Sequence, residues 1–242
     1  VISLMMVFLV GATVLFWMAQ QSLFSKNPHF ILKRVVVKSG GYWNGRDNEV
    51  VKLLGLKKGE TNLFGLKLGE LKDKLKEQAS IEKVSVARVL PSTLEVKISE
   101  RIPRAYLYSA DSGWIVDQSG VVMDAKTAVN IKGSLPVITG LKIADIHAGL
   151  ELPEIKPALD IILCALQDYP DLKIASVNLA VRDEIHVFLK YKNYAKTFFI
   201  LFPRKKLDEK MAALSMTVKK AVGADSAGST IDLRFEGQAI VK

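Results

Sequence analysis

The chain begins with an almost unbroken apolar stretch and only then settles into the alternations of a folded protein. Val1 to Ala19 reads VISLMMVFLVGATVLFWMA, and no charged residue precedes Lys26. At about 1.5 Å per helical residue, roughly 20 such residues cross the ~30 Å hydrocarbon core of a bilayer. The pattern predicts a transmembrane helix over residues 1–24 and a linker over 25–29, with Pro28 favouring an extended exit. A cleavable leader would have an apolar core of only about 7–15 residues and small residues before its cleavage site. Trp17 occupies the place where a small residue would be needed, and suits an aromatic belt at the lipid interface instead. The sequence opens on Val1 rather than Met, so a cytoplasmic flank is expected ahead of it.

Past the linker the periodicity changes twice. FILKRVVVKSG reads as a strand stopped by Gly40-Gly41. Asp47 to Leu56 is a short amphipathic segment with Asp47 placed to cap it. Lys67 to Gln78 carries Leu68, Leu71 and Leu75 at spacings of three and four, a one-faced helix. IEKVSVARVL and TLEVKISE then alternate with period two. Val84 and Val86 oppose Lys83 and Ser85, while Leu94, Val96 and Ile98 oppose Glu95 and Lys97. The order β-α-α-β-β, with the helices on one sheet face, predicts an α+β domain over residues 30–101.

The second predicted domain, 102–242, is a mostly antiparallel β domain with two helices. Short strands are expected at Ala105–Tyr108, Trp114–Val116 and Pro136–Gly140, with a turn at Asp117-Gln118-Ser119-Gly120 leading into VVMD. Ile155 to Tyr169 reads as a helix whose apolar face carries Leu159, Ile162, Leu163 and Leu166. Lys173–Val181 and Glu184–Tyr191 form a hairpin closed by the two residues Arg182-Asp183. AKTFFILFP is a further apolar strand, Lys205–Val222 a helix, and STIDLRFEGQAIVK two strand pieces around Gly237.

Composition and charge add mostly exclusions. The chain is 49% hydrophobic and 24% charged, which rules out wholesale disorder, and its net charge of +9 comes from scattered Lys and Arg. No helix-turn-helix, zinc finger or aromatic platform accompanies that charge, so no nucleic-acid partner is expected. The lone Cys164 excludes an internal disulfide and reads as a buried structural thiol. His29, His147 and His186 are far apart and fall in no metal-binding pattern. Asp117-Gln118-Ser119-Gly120 is better explained by a tight turn than by an aspartic-protease loop, and the glycines are isolated rather than gathered into a phosphate-binding loop. The sequence therefore predicts no enzyme, no metal and no cofactor.

One group of motifs has a family likeness. IEKVSVARVLPSTLEVKISERIPRAYLY resembles the passage from POTRA domain to β domain in the FtsQ/DivIB proteins of bacterial cell division. The matching positions are Val84, Val86, Arg88, Pro91, Thr93, Leu94, Val96, Glu100, Arg101, Pro103 and Ala105. IVDQSGVV, LPVITG at Leu135–Gly140 and IDLR at Ile231–Arg234 follow in the family's order. The resemblance implies a single-pass inner-membrane protein at the division septum, with its N-terminus cytoplasmic and its bulk periplasmic or extracytoplasmic. It implies a non-enzymatic divisome scaffold that binds FtsB-like and FtsL-like proteins, links them to the septal peptidoglycan synthase, and uses its POTRA domain in localisation. It also implies that the last strand receives FtsB. The residues carried over for that contact are Phe235, Glu236, Gly237, Gln238, Ala239, Ile240 and Val241, with Arg182 facing an acidic FtsB side chain. If the longer tails of some members help binding, a chain ending at Lys242 is expected to make a smaller contact. The alternative, a POTRA-containing anchored chaperone or receptor for secreted polypeptides, lacks the long series of alternating strands that a transmembrane barrel would add.

The apolar run makes the first prediction. Leu9→Arg places a charge near its middle and should disfavour insertion by about 2.5–3.5 kcal/mol. Membrane fractionation with carbonate extraction reads the loss, and an unchanged membrane fraction would mean the span is misplaced.

Overall fold

The structure is a computed structural model that describes residues 6, 9–13, 24, 27–108, 113–128, 134–142, 145–224 and 229–242. Among the described residues no helix is long and apolar enough to cross a membrane. The anchor predicted for residues 1–24 lies mostly outside them, although residues 9–13 are helical. The chain divides into two compact units, Val1–Glu100 and Arg101–Lys242.

The first unit follows the order read from its periodicity: β1 (Arg34–Lys38), α1 (Asp47–Leu54), α2 (Leu68–Lys76), β2 (Ile81–Val89) and β3 (Thr93–Glu100). The sheet order is β1-β3-β2, with β3 antiparallel to β2 and parallel to β1. Val35 and Val37 of β1, Val84 of β2, and Leu94, Val96 and Ile98 of β3 turn inward against Val50, Leu71 and Leu75 of the helices. Val86 has the expected phase but is only partly buried. Asp47 does not cap α1. Arg46 occupies the cap position, and the Asp47 Oδ1 accepts the Val37 N–H at 2.8 Å. That N–H lies on the side of β1 away from β3, so the carboxylate covers a peptide group at the sheet margin.

The motif residues of this unit act as ties. Arg88 donates to the Leu63 and Leu66 carbonyls at 2.7 and 2.6 Å, holding the α1–α2 connection against β2. Glu100 accepts from the Ser39 hydroxyl and from the Tyr42 and Trp43 N–H groups, both at 2.8 Å, closing the loop after β1. Its neighbour Arg101 belongs to the other unit, where it pairs with the buried Asp117 at 2.7 Å. The second Asp117 oxygen accepts the Ser119 and Val121 N–H groups at 2.9 Å, so this aspartate organises a tight turn.

The second unit adds β4 (Pro103–Leu107), β5 (Trp114–Asp117), β6 (Val122–Asp124), β7 (Val137–Thr139), α3 (Lys156–Asp168), β8 (Leu172–Asn178), β9 (Glu184–Tyr191), β10 (Thr197–Pro203), α4 (Leu207–Gly223), β11 (Thr230–Asp232) and β12 (Ile240–Val241). One nine-stranded sheet runs β12-β11-β10-β9-β8-β7-β4-β5-β6. It is mostly antiparallel, as expected, but β7 pairs in parallel with β4 and β8, and β10 with β11. The inward rows Ile185, Val187, Leu189 and Phe198, Ile200, Phe202 pack under α3 and α4. The outward side keeps Phe188 and Phe199 in a tilted ring pair, centroids 4.9 Å apart, with Phe188 exposed. A helix layer on one sheet face is the α+β arrangement.

Three local expectations are corrected. The buried face of α3 is Ala158, Leu159, Ile161, Ile162 and Ala165, while Leu166 is exposed. The helix is rotated toward its alanines, which let it lie closer to the sheet than leucines would. Cys164 is half-buried, and burial followed by the nearby Asp168 carboxylate pushes its thiol up, keeping it protonated. The β8–β9 connection is the loop 179–183 rather than a two-residue turn. Asn178 bends the chain by accepting the Ala180 N–H at 2.8 Å, Leu179 N–H bonds Thr139 O at 3.0 Å, and Arg204 holds the Leu179 and Val181 carbonyls. The chain passes so close here that a Cβ at Gly140, whose φ is +80°, would collide with the Ala180 nitrogen. The glycine ending LPVITG is thus required by packing as well as by backbone conformation.

Leu94 is fully buried and Lys83, across the pleat, is exposed. Leu94→Ala should cost about 2–5 kcal/mol, and Lys83→Gln should stay within about 0.5 kcal/mol. Denaturant melts compare the two; equal costs would contradict the strand phase.

Candidate functional site

A β-sheet has two margins, and in the second unit they are treated differently. At the β6 margin a loop covers the peptide groups. Val122 N–H bonds Leu150 O at 2.8 Å, Gly149 N–H bonds Val122 O at 2.9 Å, and Leu152 N–H bonds Gly120 O at 3.0 Å. Val121 and Glu151 form an antiparallel bridge in the same place. At the other margin stands β12, which among the described strands pairs only with β11.

The direction of the β12 peptide groups follows from the ladder. Thr230 and Lys242 exchange both backbone bonds, at 3.1 and 2.9 Å, and Asp232 faces Ile240 two residues further along. Antiparallel pairing alternates, so the Ile240 N–H and C=O point toward β11 while those of Val241 point away from the sheet. By the same alternation the Ala239 groups, just before the strand, also point outward. Ile240 and Ala239 are partly buried and Val241 is exposed.

The segment carried over as one docking strand, Phe235–Val241, is therefore two things. Phe235, Glu236 and Gly237 form a turn, with Gly237 at φ +66°, and only Ile240–Val241 is strand. Asp232 and Arg234 anchor the chain as it leaves β11; the exposed Glu236, Gly237 and Gln238 then bury nothing, and burial resumes in part at Ala239 and Ile240. Lys210 of α4 clamps the turn by donating to Phe235 O at 2.6 Å. Phe235 is about half exposed, at 49%. Arg182 is exposed in the loop 179–183 and makes no hydrogen bond or ion pair among the described residues.

Loop and turn are tied to one end of the sheet by a network that the sequence reading did not single out as a site. Arg234 holds the buried Asp232 at 2.9 and 2.6 Å and reaches across to Glu184 at the start of β9. Glu184 also contacts the His186 ring nitrogen at 2.6 Å. The Arg234 guanidinium holds the Asp232 carboxyl below its ordinary range, and His186 and then Arg234 do the same for Glu184. The Arg234 guanidinium is raised in turn, mainly by Asp232. The signal was present in IDLR: residues two apart on an extended chain share a face, so Asp232 and Arg234 were placed to pair. Among the described residues no group of His, Cys, Asp and Glu is arranged to hold a metal ion.

Comparison with known proteins gives two family matches. Residues 30–101 match the FtsQ-type POTRA domain, and residues 105–234 match the C-terminal domain of the cell division proteins FtsQ/DivIB. The second match ends at Arg234, so the segment 235–241 lies beyond it. The chain is 28% identical to the cell division protein DivIB of Clostridium tetani over 228 residues, which cover 89% of this chain and 80% of that protein. It is 26% identical to DivIB of Clostridium acetobutylicum over 178 residues, 73% and 68% of the two chains. FtsQ of Geotalea daltonii is 28% identical over 206 residues, 80% and 70%.

The network makes a pH prediction. Asp232 and Glu184 have folded-state pKa values lowered from 3.8 and 4.5. Their stabilisation is present above those ordinary values and is lost as pH falls through the lower folded ones. Asp232→Asn should cost roughly 1–3 kcal/mol at pH 7 and flatten the acid limb of the stability curve. Melts from pH 7 to pH 3 check this; parallel curves for the two proteins would contradict it.

Proposed function

Because the chain belongs to the FtsQ/DivIB family of cell division proteins, we propose that it is a non-enzymatic scaffold of the division machinery, anchored by one membrane span and joined to its partners by strand addition at β12. The uncharged apolar run over residues 1–24 supports the anchor, with the N-terminus cytoplasmic and the two folded units outside the inner membrane at the septum. An FtsB-like protein pairs with the open side of β12, an FtsL-like protein joins it, and through them the septal peptidoglycan synthase is held in place.

The observation that carries the reading is the contrast between the two sheet margins, one covered by residues 149–152 and the other left with outward peptide groups at Val241. A strand from a partner gains affinity from those main-chain groups and specificity from side chains nearby. Phe235 offers an exposed ring for a pocket, and Arg182, free of any carboxylate among the described residues, suits an acidic partner side chain. The short length of β12 limits self-pairing while it waits for its partner.

Proline separates docking from folding. Val241→Pro removes a donor that points away from the sheet, whereas Ile240→Pro removes one directed at Asp232. Val241→Pro should leave the melting temperature unchanged and abolish capture of the FtsL–FtsB pair in a pull-down. Ile240→Pro should lower the melting temperature as well. A folded Val241→Pro protein that captures the pair like wild type would sink the docking edge.

A further inference from the structure

The end of the first unit nearest the apolar run has a construction that strand docking does not use. Phe24, Phe30 and Phe64 form an aromatic cluster, with centroids 5.0 Å apart for Phe24–Phe64, 4.9 Å for Phe30–Phe64 and 6.0 Å for Phe24–Phe30. Phe24 is exposed at 40%. The Arg88 guanidinium lies 5.7 Å above the Phe64 ring. Asn62 fastens the incoming chain by donating to Phe24 O at 3.1 Å and Asn27 O at 3.0 Å. The point where the apolar run ends is therefore tied to the folded unit instead of being joined through a slack tether.

The same end presents apolar and basic side chains together. Val89 and Leu90, at the turn between β2 and β3, are 45% and 55% exposed. The Lys33 and Arg34 N–H groups both bond Ser92 O, at 2.8 and 3.2 Å, which fixes that turn beside two exposed cations. Neither Lys33 nor Arg34 makes an ion pair among the described residues. Single exposed leucines are ordinary on a soluble surface. Adjacent apolar residues flanked by unpaired cations, at the exit of an apolar run, are the composition of an interfacial lipid contact.

We propose that this end of the first unit is a membrane-docking surface, in which Leu90, Val89 and the aromatic cluster enter the interface while Lys33 and Arg34 meet anionic phospholipid headgroups. The proposal rests on the anchor reading above and assigns a lipid partner to the first unit that the anchor alone does not require. Docking fixes the height and tilt of the unit over the bilayer. Each cation near an anionic surface favours contact roughly fivefold, an effect that fades beyond a Debye length and is screened by salt.

The test uses the full chain in proteoliposomes of phosphatidylglycerol and phosphatidylcholine. Cys164→Ser clears the native thiol, and an environment-sensitive fluorophore is attached at Leu90→Cys or, as control, at Glu82→Cys. Glu82 lies near the opposite end of β2, about 25 Å away along the strand. Lipids carrying a nitroxide at the interface should quench the Leu90 label and leave the Glu82 label bright. High salt, or Lys33→Gln with Arg34→Gln, should cut the ratio of docked to undocked unit on the order of twentyfold. Equal brightness at both positions in a chain that resists carbonate extraction would overturn docking and leave the anchor standing. A chain that carbonate removes would overturn both. Equal quenching in purely phosphatidylcholine vesicles would overturn the headgroup assignment, and a Leu90 label shielded only when other proteins are added would assign the surface to a protein instead.

Discussion

Every sheet that does not close on itself must leave one row of peptide groups unpaired at each margin, and the organisation of the second unit follows from how it handles them. At β6 the row is covered by residues 149–152. At β12 it is left open, on a strand of two residues whose inward bonds are complete and whose outward groups meet no partner among the described residues. A longer strand there would invite pairing with any exposed edge, and none at all would expose β11 and the residue after it, where Ile231 and Leu233 are fully buried. A short β12 shields β11 while offering few open peptide groups to another edge.

Holding so short a strand in place requires support from outside the ladder. The Asp232–Arg234–Glu184 bridge joins the end of β11 to the start of β9, spanning the position of β10 between them. Lys210 fixes the turn that reverses the chain into β12. The loop 179–183, which carries Arg182, hangs from the same end because Arg204 grips two of its carbonyls. Edge, aromatic side chain and free guanidinium thus belong to one end of one sheet and are positioned by groups that need not touch a partner themselves.

Much of this was legible in the sequence, and the misses have specific causes. Period-two alternation in IEKVSVARVL and TLEVKISE placed the first unit's sheet, and the leucine spacing placed α2. Leu166 misled because leucines were weighed above alanines, although Ala158 and Ala165 allow the close approach that defines the buried face of α3. Asp47 misled because a carboxylate before a helix usually caps it, whereas here it satisfies a strand margin. The loop 179–183 could not be anticipated from its own residues, since contacts with Thr139 and Arg204, distant in sequence, set its shape. The segment 235–241 reaches the sheet edge as a turn followed by a two-residue strand rather than as one strand, and its mixed composition did not separate the two.

Amide hydrogen exchange at single-residue resolution, read with and without an FtsB-like partner, tests the open edge most directly. Lys242 and Ile240 donate inward and should exchange slowly in both states. Val241 and Ala239 should exchange quickly alone and become protected when the partner binds. A bound complex in which Val241 and Ala239 still exchange as fast as in the free protein would contradict strand addition at β12.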